Sequence, residues 1–190
     1  MALFIGLRVR GREHLPECDP FILIANHSSH LDTVSLLSLF PLERLSRIRP
    51  CAAADYFERN RVISFISHTF FNVLAIERAN PRLEDHPIRR MGEALERGES
   101  LILFPEGTRG RSEEPASFRQ GVAHLAERHR EVPIVPAYLV NMGRALPKGE
   151  FVPVPFFCEV RFGPAPPLTG TREQILATLH EAVLALQREG

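Results

Sequence analysis

A histidine close to a carboxylate is the pair from which a general base is built. Residues 26–32 read Asn-His-Ser-Ser-His-Leu-Asp. At that spacing Asp32 can hold one ring nitrogen of His27, fixing its tautomer and stabilising the imidazolium. The other nitrogen is then free to take a proton from a substrate hydroxyl. This is the His–Asp half of a catalytic triad, with the substrate's own alcohol in place of the serine. The stretch also has a plainer reading. Ser29 and Asp32 fit S-x-x-D, a helix-start signature, and His30 fits a surface position. The two readings are compatible, because a helix start can hold Asp32 where His27 needs it.

Two further polar clusters carry chemistry. Ile76-Glu77-Arg78 ends an apolar run. The planar fork of Arg78 suits phosphate, although a solvated strand end reads the same way. Leu101-Ile-Leu-Phe-Pro-Glu-Gly-Thr-Arg109 runs a strand straight into a turn. Gly107 lets the backbone turn and lets a ligand come close. Glu106 suits a substrate hydroxyl, and Thr108 and Arg109 suit phosphate oxygens. Arg109, Arg111 and Arg119 make a local basic stretch suited to phosphate, coenzyme A, an acidic carrier protein or anionic lipid.

These clusters need elements to position them. Residues 21–25, 49–54, 73–76, 100–104, 133–139 and 158–162 read as strands. Residues 31–40 read as a helix stopped by Pro41, and residues 56–71 have helical length and apolar content. Asn80-Pro81 looks like a helix start. Leu83, Ile88, Met91 and Leu95 follow at roughly helical spacing, up to Gly98. Residues 118–130 are helical, with Val122, Leu125 and Ala126 on one face. Thr171 and Gln174 predict a capping box ahead of Ile175, Leu179, Val183 and Leu186. The alternation predicts an α/β fold, a mixed and largely parallel central sheet flanked by helices. In such sheets the crevice beyond the carboxyl ends of the strands is the usual site. All three clusters follow predicted strands.

Composition sets outer bounds. The 190 residues suit one domain. Lys+Arg 23 against Asp+Glu 23 leaves no net charge, which argues against a nucleic-acid binder. Cys18, Cys51 and Cys158 lie far apart without a CxxC, which argues against a thiolate zinc site and suits a reducing compartment. The longest uncharged run, Val62 to Ile76, is about 15 residues and falls short of the roughly 18–20 that a span needs. The expectation is a cytoplasmic protein, peripheral on a membrane, that does not cross it.

Taken together, the clusters resemble the glycerophospholipid acyltransferase family, which includes the 1-acylglycerol-3-phosphate acyltransferases. His27-x4-Asp32 matches its first block. Val73 to Arg78 resembles the second, and Phe104-Pro-Glu-Gly-Thr-Arg109 matches the third. Phe118-Arg-Gln-Gly121 resembles the segment after that, and Val132-Pro-Ile-Val-Pro136 the fourth. The order is the family's order. Asn72 and Ala75 depart from it, standing where the second block usually has Gly and an aromatic.

The resemblance implies one acyltransferase domain over residues 1–190. It implies acyl transfer from acyl-CoA or acyl-carrier protein to a lysophospholipid hydroxyl, most simply that of 1-acylglycerol-3-phosphate. His27 and Asp32 would be catalytic. Arg78, Glu106, Gly107, Thr108 and Arg109 would bind the acceptor. No metal or cofactor is expected, and no nucleic acid. The bilayer partners expected are Phe4 with Leu7, residues 62–71 and residues 151–157. Three rivals stand beside this reading: a lysophospholipid or thioester hydrolase on the same pair, a metallohydrolase using His27, His30 and Asp32, and a non-catalytic lipid-binding or carrier-docking module.

Overall fold

Phe21, Ile22, Leu23, Ile24 and Ala25 are all fully buried. A strand covered on both faces needs such an unbroken apolar run. In the computed structural model this run is the central strand, β2 (Ile22–Ala25). The structure describes residues 6–53, 72–76, 86–108, 110, 117–147, 150 and 154–189. The expected helix at 56–71 and the helix start at Asn80-Pro81 lie outside the described residues.

The other strands are β1 (Leu7–Arg10), β3 (Ile48–Ala53), β4 (Leu74–Ile76), β5 (Ser100–Leu103), β6 (Ile134–Val140) and β7 (Cys158–Phe162). They form one seven-stranded sheet in the order β1-β7-β6-β2-β5-β3-β4. Five run parallel to one another. β7 pairs antiparallel with β6 (Val140 opposite Glu159) and parallel with β1. The mixed, largely parallel sheet expected from the sequence is therefore present. β1 went unread in the sequence because its alternation is Leu7-Arg-Val-Arg10, half of it charged.

Helices cover both faces. α1 (Leu31–Leu37) and α2 (Leu42–Leu45) follow β2. α3 (Pro87–Glu96) precedes β5, and α4 (Gly121–Arg128) precedes β6. α5 (Met142–Ala145) follows β6, and α6 (Arg172–Arg188) closes the described chain. Strand periodicity sorts β2 between two cores. Ile22 and Ile24 join Ile88, Leu95, Val122, Leu125, Leu179 and Val183 on one face. Phe21, Leu23 and Ala25 join Leu31, Leu36, Met142 and Ala145 on the other.

Helix ends follow local chemistry. The Thr171–Gln174 capping box forms, and Ile175, Leu179, Val183 and Leu186 are all buried. Arg161, itself buried, reaches the other end of α6. Its Nη1 donates to the carbonyls of Leu186 (2.8 Å) and Gln187 (3.2 Å). A cation there satisfies last-turn carbonyls and complements the helix dipole. Two expected helices are shorter than their apolar patterns. α1 ends at Leu37, three residues before Phe40, and α4 begins at Gly121, not at Phe118. Phe118 and Phe40 are buried outside the helices, so an apolar residue beside a helix need not belong to it. Among the described residues no helix is long and apolar enough to cross a membrane.

Candidate active site

The crevice forms where β2 and β5 end side by side, with Ile24 opposite Leu103. Two residues further along each strand direction, the chain supplies the site. Asn26 is the first residue past β2 and is buried. Its amide Nδ2 donates to the carbonyl of Leu139 at 3.0 Å. Its Oδ1 accepts the Leu139 N–H at 2.7 Å. The side chain thus continues the β2–β6 pairing after the backbone of β2 has turned away. Buried main-chain groups need partners, and this pair fixes the point from which the next residue departs. Nothing in the local spacing assigns Asn26 this task, because its partner lies 113 positions away. Its signal was an amide residue at the carboxyl end of an apolar strand.

His27 follows. Its Nδ1 lies 2.8 Å from Asp32 Oδ2. Asp32 is fully buried, in the first turn of α1. The same oxygen accepts the N–H groups of Ser28 (2.7 Å) and Ser29 (2.9 Å). A carboxylate facing Nδ1 makes that nitrogen the protonated one, which leaves the lone pair on Nε2. The side chain of His27 is 20% exposed, so the ring can meet a substrate while its partner cannot.

The helix-start reading also holds. Ser29 Oγ accepts the Leu31 N–H at 3.2 Å, while Asp32 takes the Ser29 N–H. Ser29 Oγ also donates to the Leu146 carbonyl at 2.9 Å, tying this turn to the end of α5. One carboxylate therefore holds the turn ahead of α1 and orients His27. Asp32 Oδ1 is buried without a hydrogen-bond partner among the described residues.

The turn after β5 grips the same histidine. Glu106, buried, accepts the His27 N–H on Oε1 at 3.1 Å. The N–H of Gly110 donates to the His27 carbonyl at 2.9 Å. Both main-chain polar groups of His27 are thus held from one loop. The imidazole stacks on Phe104, with ring centroids 4.2 Å apart and planes 19° apart. Phe104 packs against the core on the α1 side of the sheet. Gly107 has φ +79°, a conformation that costs glycine little and other residues more. Thr108 is exposed at the mouth.

Of the seven site residues expected from the sequence, His27, Asp32, Glu106 and Gly107 come together here, with Thr108 beside them. Arg78 and Arg109 lie outside the described residues. One Glu106 oxygen holds the His27 main chain, a task that spacing did not reveal. The other residues rivalling for chemistry are placed elsewhere. Cys51 packs partly buried against the core, and burial pushes its thiol up to about 12, opposed by the charges of Arg49 and Arg90. It is a thiol at neutral pH, not the thiolate a nucleophile requires. A cavity of about 240 Å³ opens beside Phe118, Leu176 and His180. Its lining includes neither His27 nor Asp32. Among the described residues no group of three or more His, Cys, Asp or Glu side chains is placed to hold a metal ion.

Comparison with known proteins gives the family and the fold. The chloroplastic 1-acyl-sn-glycerol-3-phosphate acyltransferase of Arabidopsis thaliana is 31% identical over 149 residues, covering 77% of this chain and 39% of that protein. The 1-acyl-sn-glycerol-3-phosphate acyltransferase of Pseudomonas aeruginosa is 28% identical over 179 residues, covering 93% and 65%. The chain thus spans about two fifths of the length of the plant relative and about two thirds of the bacterial one. The crystal structure of the 1-acyl-sn-glycerophosphate acyltransferase PlsC from Thermotoga maritima shares the fold. Its TM-score is 0.75 at 23% identity, over 98% of this chain and 73% of that one. The Acyltransferase family model matches residues 6–140, which hold the His27–Asp32 pair, the Glu106 turn and β6; the chain belongs to that acyltransferase family.

Proposed function

We propose that this chain transfers a fatty acyl group from an acyl thioester, acyl-CoA or acyl-carrier protein, to the free hydroxyl of 1-acylglycerol-3-phosphate. The observation that carries the reading is the His27–Asp32 pair, with Nδ1 and Oδ2 at 2.8 Å and Nε2 left as the base. Two of the relatives are 1-acyl-sn-glycerol-3-phosphate acyltransferases, which supports the same acceptor.

The chemistry follows from the residues. His27 Nε2 takes the hydroxyl proton as the oxygen attacks the thioester carbonyl carbon. The C–O bond forms and the carbonyl electrons move onto oxygen. The intermediate then collapses, the C–S bond breaks, and the thiolate leaves with the electron pair. The imidazolium returns its proton to that sulfur. Asp32 balances the positive charge while it exists, and the Phe104 ring face adds a cation–π attraction. Neither a covalent acyl-enzyme nor a metal is needed. Arg78, Thr108 and Arg109 bind the glycerophosphate end, with Gly107 shaping the turn that carries Thr108 and Arg109. Glu106 acts from behind by holding His27.

The test is direct. Purified protein is incubated with lysophosphatidate and a panel of acyl-CoA and acyl-carrier thioesters, and products are read by mass spectrometry. Phosphatidate is expected, and the productive thioester names the donor. Free fatty acid as the main product with acceptor present would replace this reading with the hydrolase.

The acceptor resides in a bilayer, so the protein works as a peripheral protein at its surface. The supporting patch is at the sheet end that holds His27. The β6–β7 pair is antiparallel, so the segment before β7 lies beyond the carboxyl end of β6. There Phe157 is 84% exposed and Val154 52%. The Arg144 guanidinium lies 4.6 Å from the Phe156 ring centre. Of the other expected contacts, Leu7 packs against the core, while Phe4, Phe151 and residues 62–71 lie outside the described residues. Burying a Phe side chain is worth about 1.5–3 kcal/mol. Phe157→Ser should therefore lower partitioning onto anionic vesicles roughly tenfold or more in a flotation assay. Equal flotation of both proteins would remove Phe157 from the contact.

A further inference from the structure

The Pro105–Gly107 turn holds His27 on one side and has a second occupant. Arg119 lies in the segment leading into α4. Its N–H donates to the Pro105 carbonyl at 2.9 Å. Its Nε points at the Glu106 carbonyl at 3.4 Å. Its guanidinium lies directly over Gly107. A Cβ on Gly107 would overlap Arg119 Nε and come within 2.8 Å of Cδ and 2.9 Å of Cζ. Glycine at 107 therefore does two things: it takes the left-handed turn, and it leaves a seat for a guanidinium from twelve residues further on.

The result is a chain of contacts from the base to a cation. His27 N–H is bonded to the Glu106 carboxylate, and the carbonyl of that same Glu106 faces Arg119 Nε. Arg119 is exposed. Among the described residues its side chain makes one hydrogen bond, through Nε. Among the described residues neither Nη group has a hydrogen-bond partner. An arginine held at Nε with its Nη edge open presents the planar fork that fits a phosphate.

We propose that Arg119 binds the phosphate monoester of the acceptor, and that Gly107 serves the site chiefly as its seat. The proposal rests on the transferase reading above. The geometry favours the acceptor as the source of the phosphate. In 1-acylglycerol-3-phosphate the reacting hydroxyl and the phosphate sit on neighbouring carbons. The phosphate must therefore be held close to His27, and one turn residue links the two sites.

The test is binding without donor, so that no turnover is needed. A short-chain, water-soluble 1-acylglycerol-3-phosphate is titrated into wild type, Arg119→Ala and Arg119→Lys by calorimetry. The matching monoacylglycerol and coenzyme A serve as second and third ligands. A charge-assisted pair is lost in Arg119→Ala, so the phosphorylated acceptor should bind about 10- to 100-fold more weakly. Arg119→Lys should fall between, keeping charge and losing the fork. Monoacylglycerol and coenzyme A should change less than about twofold.

Several results would overturn the proposal. Equal weakening for monoacylglycerol would make Arg119 a brace for the turn, and a lowered melting temperature would accompany it. Weakening confined to coenzyme A would move the residue to the donor. Wild type that binds the phosphorylated and neutral acceptors alike would also end it. A wild type that binds lysophosphatidate through Arg119 yet forms no phosphatidate with any thioester would leave this inference standing and remove the transferase reading.

Discussion

His27→Ala is expected to lower kcat for phosphatidate formation by at least about 10²- to 10⁴-fold, the contribution of a positioned general base. The geometry says why the loss should be chemical and not structural. The imidazole is part-exposed, and among the described residues its one hydrogen bond is through Nδ1 to Asp32. Asp32 keeps the N–H groups of Ser28 and Ser29 when the ring is gone. The main-chain bonds of residue 27 to Glu106 and Gly110 do not involve the side chain. The variant should therefore unfold at a similar temperature and bind acceptor with little change. Activity above about a tenth of wild type, in a folded variant, would mean that another group takes the proton.

Asp32→Ala is expected to cost up to about 10⁴-fold, as losing an orienting carboxylate can in a triad, and to lower stability as well. The side chain is fully buried and one oxygen receives three donors. Removing it leaves two main-chain N–H groups at the start of α1 without their acceptor, which costs about 1–3 kcal/mol. Asp32→Asn separates the parts. The amide oxygen can still face the serine N–H groups and His27 Nδ1, while its NH₂ takes the place of Oδ1, which has no partner among the described residues. The fold should then be kept, and only the charge that balances the imidazolium lost. Urea unfolding beside steady-state rates checks both. Asp32→Asn at wild-type rate would show that Asp32 orients His27 and that its charge contributes nothing.

The two predictions differ in how far the sequence alone could have supported them. That His27 pairs with Asp32 is legible locally. The residues are five apart, a helix begins between them, and S-x-x-D announces it. The capping box at Thr171 and the buried stripe of α6 are legible for the same reason. Each depends on a repeat within one or two turns of chain. The unbroken apolar run of β2 likewise declares a strand covered on both faces.

Roles that join distant segments were not legible. Glu106 holds His27 across 79 positions, and Asn26 holds Leu139 across 113. Arg119 sits on Gly107 only because α4 begins where its segment can fold back on the turn. The sequence by itself determined the α/β alternation, the chemistry of the His–Asp pair, the glycine turn and the family. The tertiary structure decided which face of each residue is used. A hydrogen bond between segments depends on strand order and register, and those are set by how the whole sheet buries its two cores, not by the spacing within any one motif.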